Sequence, residues 1–197
     1  DYEKDIISLS DKKFAVLNDE KEKEIIDKIE EVSKCGDSVG GVLETAVIGL
    51  PVGIGEPWFD SVESVLSHAL FSIPAVKGVE FGSGFSCADM LGSQMNDNFV
   101  LEGRRVITKT NNNGGINGGI TNGMPVIFRC AVKPTPSISK EQETVDFINN
   151  ENTLLSVNGR HDPCIVHRAR VIVDSITALV LCDLLSQKFG ADWLGEL

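Results

Sequence analysis

The sequence predicts an α+β fold, and three observations carry that prediction. Helical periodicity and β-type runs follow one another irregularly, with helices expected over 19–34 and 61–73 and strands over 42–50, 76–81 and 126–132. A long segment from Ile165 to about Phe189 has apolar residues on most faces at helical spacing, so a central, buried C-terminal helix is expected. Between these lies Thr108–Ser137, where Gly114, Gly115, Gly118, Gly119 and Gly123 fall within ten residues and feed the apolar run Val126–Val132. At 197 residues the chain is long enough for one large core or two small ones, and it is read as a single domain over 1–197.

Each element has a local reason. Residues 1–17 have no strong pattern beyond Phe14-Ala15-Val16-Leu17, a possible short strand. Asn18 or Asp19 is placed to cap the next helix, whose Ile25, Ile26, Ile29 and Val32 share one face and which ends near Cys35-Gly36. Asp37 to Gly41 turn the chain into the run Val42–Leu50, and the glycines and prolines of 51–57 make a loop. Asp60 or Ser61 caps a second helix with Val62, Val65, Leu66, Ala69, Leu70 and Ile73 at helical spacing, and Pro74 stops it. Val76–Phe81 reads as a strand and Ser86–Met90 as a helical turn. The polar stretch Gln94–Lys109, with Arg104-Arg105, reads as a mobile segment or lid. Ser139 is expected to cap a third helix that Asn149–Asn152 ends, with a short strand at Thr153–Val157. Asp162 suits the N-cap and Pro163 the first position of the last helix.

Charge and composition exclude several classes. The net charge of −11 argues against a general nucleic-acid or anionic-membrane binder. Five dispersed cysteines without a CxxC pair point to reduced thiols in the cytoplasm rather than a zinc site or a disulfide framework. Polar residues interrupt the longest apolar run, so no membrane span is expected, and no signal peptide is visible. With three histidines no histidine-rich metal site is expected, and His68 reads as an ordinary helix residue. The chain begins at Asp1, which suggests a larger parent protein.

The glycine stretch fits neither common nucleotide fingerprint. Gly118 and Gly123 have P-loop spacing, but Met124-Pro125 replace the lysine and hydroxyl. A dinucleotide Gly-x-Gly-x-x-Gly, a His-Glu-x-x-His and a Gly-x-Ser-x-Gly are all absent. What remains is a glycine loop, Lys133 with Thr135 and Ser137, and Arg160 just before a helix: parts suited to a phosphorylated ligand. From these residues alone, a phosphate site and a plain loop between core strands both stay open.

Taken together, these blocks resemble chorismate synthases. The resemblance rests on Asp37-Ser-Val-Gly-Gly-Val, Gly49-Leu-Pro-Val-Gly-Ile-Gly-Glu-Pro, His68-Ala-Leu-Phe-Ser-Ile-Pro-Ala-Val-Lys-Gly-Val-Glu-Phe-Gly, Asn112-Asn-Gly-Gly-Ile-Asn-Gly-Gly-Ile-Thr-Asn-Gly-Met-Pro and Gly159-Arg-His-Asp-Pro-Cys, in the family's order from Cys35 to about Leu185. It implies an incomplete β-α-β sandwich with antiparallel sheets. It also implies anti-1,4-elimination of phosphate from 5-enolpyruvylshikimate 3-phosphate to give chorismate, in the shikimate pathway of aromatic amino-acid biosynthesis. The family's reaction needs reduced FMN without net redox change, with NADPH or a separate reductase as electron source. Cytoplasmic homotetramers are usual.

Carried over by position, the resemblance gives Pro74 and Ala75 as an FMN-contacting pair, although some members carry asparagine where Pro74 stands. Gly118 is an FMN contact, and Lys133, Pro134, Thr135, Pro136 and Ser137 form a loop around the flavin phosphate and ribityl chain. Arg160 is shared between flavin and substrate, and Asp162 is an acid acting near flavin N5. The segment carrying the family's two catalytic histidines and its substrate-binding arginines has no counterpart here, so the 197 residues alone are expected to be inactive. The alternative is a non-catalytic FMN- or phosphate-binding or oligomerisation fragment.

Overall fold

The computed structural model describes residues 2–10 and 12–190; Asp1, Asp11 and residues 191–197, which bound or fall within the expected single domain, lie outside that range. Helix α1 (Tyr2–Ser10) comes first. Residues 12–18 then run without regular structure, so the strand expected at Phe14–Leu17 does not form. Four apolar residues with no neighbouring strand gain no hydrogen-bonded ladder; the Phe14 ring instead lies 5.9 Å from the His167 ring. Helix α2 (Asp19–Lys34) is capped by Asn18, whose side chain accepts the Lys21 N–H at 3.0 Å.

Strand β1 (Gly41–Val47) is shorter than the expected run to Leu50. Helix α3 (Val62–Phe71) is capped by Ser61 rather than Asp60, with the Ser64 N–H donating to its hydroxyl at 3.1 Å. Strand β2 (Val76–Phe81) has the expected bounds. A 3-10 turn at Gly84–Asp89 stands where a helical turn was expected, and a single turn, α4 (Gly92–Met95), follows.

The polar stretch read as a mobile lid is instead a hairpin of β3 (Phe99–Glu102) and β4 (Arg105–Thr108). The apolar runs Phe99-Val100-Leu101 and Val106-Ile107 flank a Gly103-Arg104 turn, a pattern the surrounding charges obscured. Short strands β5 (Ile116–Asn117) and β6 (Ile120–Thr121) pair within the glycine stretch, and β7 (Val126–Val132) leaves it.

The third helix expected from Ser139 is replaced by a second hairpin, β8 (Gln142–Asp146) with β9 (Glu151–Leu155). Turn chemistry overrides the helical cap here. The Asp146 carboxylate accepts the Ile148 and Asn149 N–H groups at 2.8 and 3.1 Å, and Asn150 takes the left-handed conformation at φ 57°. Helix α5 (Val166–Phe189) ends the described chain; its N-cap is Ile165 without a side-chain bond, so Asp162 does not cap it.

One antiparallel sheet organises the core, in the order β1-β7-β2. Gly41 to Val47 pair with Val132 to Val126, and Val76 to Phe81 pair with Val132 to Phe128 across a bulge at Lys77. Val126, Phe128, Cys130 and Val132 of β7 face Val62, Leu66 and Leu70 of α3 and Ala169, Val173 and Leu184 of α5. Burial pushes the Cys130 thiol up to about 11, which makes it an inert core residue. All five cysteines are free thiols.

Helix α5 buries one stripe, Ala169-Val173-Thr177-Leu181-Leu184, at helical spacing. Val171 and Leu179 remain 59% and 68% exposed, so the helix is central but covered on one side only. Among the described residues no helix is long and apolar enough to cross a membrane. Because Phe128 is fully buried between sheet and helices, Phe128→Ala should cost about 3–5 kcal/mol. Urea unfolding measures this, and a loss below about 1 kcal/mol would contradict the packing described.

Candidate functional site

The two ends of β7 carry different chemistry. At its C-terminal end the Lys133 N–H donates to the Ala75 carbonyl at 2.9 Å, joining the first residues of the 133–137 loop to the entrance of β2. Ala75 holds φ +75°, a left-handed conformation that costs a non-glycine residue energy. Pro74, Lys133, Pro134 and Pro136 are exposed, and Thr135 and Ser137 are partly covered. Lys133 forms no ion pair with the described residues, so its charge is available. The Thr135 hydroxyl oxygen is buried and has no hydrogen-bond partner. Such an orphan needs a partner from outside the chain.

Segment 37–40 ties this loop to the start of α5. The Ser38 hydroxyl donates to the Thr135 carbonyl at 2.6 Å, and the Val39 N–H donates to the Pro163 carbonyl at 2.8 Å. Gly40 passes so close to the loop that a side chain there would collide with the Val132 carbonyl oxygen and press on Pro134. Asp37 is paired with Lys140 at 2.7 Å; the Lys140 ammonium, then the Ser38 N–H, hold its carboxyl below the usual aspartate range. The loop therefore has its backbone fixed while its cation and one hydroxyl stay free.

Asp162 and Arg160 differ from each other. The Asp162 carboxylate is engaged by Arg168 and accepts the Cys164 N–H at 3.3 Å. The neighbouring His161 Nε2 lies 2.7 Å from the Val157 carbonyl. Arg160 is exposed and makes no hydrogen bond or ion pair with the described residues. Through the Val39–Pro163 and Ser38–Thr135 bonds, the segment that begins at Asp162 meets the sheet at the same end as Ala75 and the 133–137 loop. A cleft of about 700 Å³ adjoins this end, between Phe14, Ile29, Val42, Val166 and Val171, and shares Val39, Gly40 and Cys164 with it.

Gly118 lies elsewhere. It forms the β5–β6 turn with Gly119, both at positive φ (59° and 88°). The Gly119 carbonyl accepts the Val62 N–H at 3.0 Å, so the turn sits at the N-terminal end of α3. That is the far end of the seven-residue β7, about 20 Å from Lys133 at ~3.3 Å per residue. A side chain at Gly118 would meet nothing within 4 Å, so that position faces open space, whereas one at Gly119 would collide with the Glu56 carbonyl and Ser61. Sequence reasoning assigned no role to Ser38, to Asp97 or to the Asp37–Lys140 pair; a lone aspartate in Asn96-Asp97-Asn98 gives no distinctive signal. Among the described residues no group of histidine, cysteine or carboxylates is arranged for a metal.

The family model for chorismate synthase matches residues 3–186, nearly the whole described chain. The chain belongs to the chorismate synthase family. Chorismate synthase of Thermococcus kodakarensis is 48% identical over 164 residues, covering 83% of this chain and 46% of the relative. That of Dehalococcoides mccartyi is 51% identical over 162 residues, covering 82% and 44%. That of Prochlorococcus marinus is 48% identical over 191 residues, covering 96% and 50%. A crystal structure of chorismate synthase superposes with a TM-score of 0.72 at 34% identity, over 90% of this chain and 46% of that one. The chain thus has a chorismate synthase-like α+β fold with antiparallel sheets and spans about half the length of the relatives it matches.

Two measurements follow from this geometry. Ala75→Gly should stabilise the chain by about 0.5–1 kcal/mol, because relief of the left-handed conformation outweighs the added freedom of the unfolded glycine; an unchanged or lower urea midpoint would contradict the φ at Ala75. Burial alone raises the Asp97 carboxyl, but hydrogen bonds from Thr110, Asn113 and Asn112 outweigh it and hold it below the ordinary aspartate value. Its folded pKa is depressed, so its stabilisation is complete above the unfolded value of about 3.9 and is lost as pH falls through the lower folded value. Urea midpoints taken down to about pH 3 should fall more steeply for the unmodified chain than for Asp97→Asn.

Proposed function

We propose that this chain is the C-terminal part of a chorismate synthase and supplies the flavin-phosphate side of its site. The whole reaction is elimination of phosphate from 5-enolpyruvylshikimate 3-phosphate to give chorismate, a carbon–oxygen lyase step of aromatic amino-acid biosynthesis. The observation that carries this reading is the pairing of an unengaged Lys133 with an orphaned Thr135 hydroxyl on a fixed loop. A phosphate matches both, since it accepts from a cation and from a hydroxyl together. The Ala75 and Pro74 backbone borders the same place. These residues fit FMN, and Lys133 to Ser137 with Ala75 would hold its phosphate and ribityl chain. When bound and reduced, the flavin supplies electron density reversibly, so the elimination has no net redox change; NADPH or a separate reductase supplies the electrons.

The protein's own groups then have separable tasks. Lys133 neutralises phosphate charge, and the Thr135 hydroxyl donates to a phosphate oxygen. Arg160, free of any partner among the described residues, is placed to meet a second anion such as a substrate phosphate or carboxylate. Asp162 is oriented by Arg168 and by the Cys164 N–H, and is the carboxylate we assign as the proton acceptor. Gly118 offers backbone and open space rather than a side chain.

We further propose a single domain over residues 1–197 that works in the cytoplasm as a homo-oligomer. The tip of the β8–β9 hairpin supports the last point, because Phe147 and Ile148 are 92% and 94% exposed there. The segment that carries the family's two catalytic histidines has no counterpart in these 197 residues, so no turnover of the phosphorylated substrate is expected from the chain alone. FMN titration tests the assignment. Lys133→Ala should weaken binding about tenfold and Thr135→Val by several-fold, as expected for lost charge-assisted contacts. Unchanged affinity in both variants would remove the phosphate assignment, and turnover by the 197-residue chain would refute its inactivity.

A further inference from the structure

Among the described residues Asp97 is the one charged side chain in the buried class, at 4% exposure. No ion pair holds it. Its two oxygens instead take four hydrogen bonds from one short segment. Oδ1 accepts from the Thr110 hydroxyl at 2.6 Å and from the Asn112 N–H at 2.8 Å. Oδ2 accepts from the Asn113 N–H at 2.8 Å and from Asn113 Nδ2 at 2.9 Å. Asn112 Nδ2 donates back to the Gln94 and Met95 carbonyls at 3.0 and 3.3 Å. Segments 94–97 and 110–113 are thereby locked together.

The lock continues towards the glycine turn. The Asn112 carbonyl accepts the Ser83 N–H at 2.7 Å, and the Gly114 carbonyl accepts the Ile127 N–H at 3.2 Å. The Gly115 carbonyl accepts the Asn122 N–H at 3.0 Å, and Asn122 Nδ2 donates to Asn117 Oδ1 at 2.6 Å. The turn at Gly118-Gly119 therefore stands between two fixed roots, and Asp97 sets the first. All four groups facing Asp97 are donors, which is why a carboxylate is required. An amide would set its own N–H groups against two of them and leave buried donors without acceptors.

We propose that Asp97 is a positioning residue for the cofactor-facing turn at Gly118, an inference that rests on the flavin site proposed above. Its charge fixes the backbone of 110–113, and that backbone fixes where the turn meets the ligand. The test combines amide hydrogen exchange with FMN titration on the 197-residue chain and its Asp97→Asn and Thr110→Val variants. Asp97→Asn should speed exchange at Asn112, Asn113 and Asn122, whose N–H is bonded to the Gly115 carbonyl, about tenfold while Phe128 and Cys130 in β7 keep their protection. It should also weaken FMN binding about three- to tenfold, and Thr110→Val should act in the same direction but less.

Unchanged exchange at Asn112 and Asn113 overturns the proposal, and so does faster exchange with unchanged FMN affinity. If Asp97→Asn loosens β7 as well, the milder Thr110→Val protein is read by the same criteria. Absence of FMN binding by the unmodified chain counts against the flavin site itself. The positioning role is then decided by exchange at Asn122, at the root of the turn, where no change overturns it.

Discussion

The two-sided pairing of β7 is the constraint from which the rest follows. A strand buried on its core face needs every backbone N–H and carbonyl satisfied, and β1 and β2 supply that along both edges. Once both ladders are in place, the alternate side chains Val126, Phe128, Cys130 and Val132 have one place to go, against α3 and α5. Both ends of the strand become fixed points. Lys133 leaves one end already hydrogen-bonded to Ala75, and the other end is entered from Gly114 and Gly115 through the Ile127–Gly114 bond. The candidate flavin contacts are thus distributed over the two ends of one rigid element rather than gathered on a flexible loop.

Electrostatics sharpens that arrangement. The chain carries eleven negative charges in excess, yet the groups proposed to meet an anion are cationic and uncommitted. Lys12, Lys21, Lys28, Lys34 and Lys140 are each engaged by a carboxylate. Lys133 and Arg160 are not. Surface pairs of the first kind contribute little to stability; Lys77, Lys109, Arg104 and Arg105 also lack an ion pair among the described residues, so position at the end of β7, beside the Thr135 hydroxyl, is what singles out Lys133. Asp97 shows the reverse economy: a negative charge placed where only neutral donors face it, so that it organises backbone instead of attracting a cation.

Much of the fold was legible because it followed short-range rules. The helix of 19–34 was visible in its Ile25-Ile29-Val32 stripe and its Asn18 cap, the strand 76–81 in a bounded β-type run, and 126–132 in its uninterrupted apolar character. Three elements were not. The 142–155 hairpin was hidden because Ser139 followed by Glu141 and Glu143 imitates a helix start, and the turn at Asp146–Asn150 decides against it. The 99–108 hairpin was hidden by Arg104 and Arg105. Phe14–Leu17 had strand composition but no partner strand, which no local pattern reveals. For the site, Lys133 and Arg160 stood out by residue type, and motif resemblance added Ala75, Gly118 and Asp162. Asp97 was invisible because its meaning comes from residues thirteen to sixteen positions away.

We propose above that the C-terminal end of β7, with Lys133, Thr135 and Ala75, receives the phosphate of FMN. Amide chemical-shift mapping of the 197-residue chain titrated with FMN tests it most directly. The largest shifts are expected at Ala75 and at Lys133, Thr135 and Ser137, abolished together by Lys133→Ala. Shifts confined to the cleft residues Val42, Val166 and Val171, with the 133–137 loop unmoved, would contradict it.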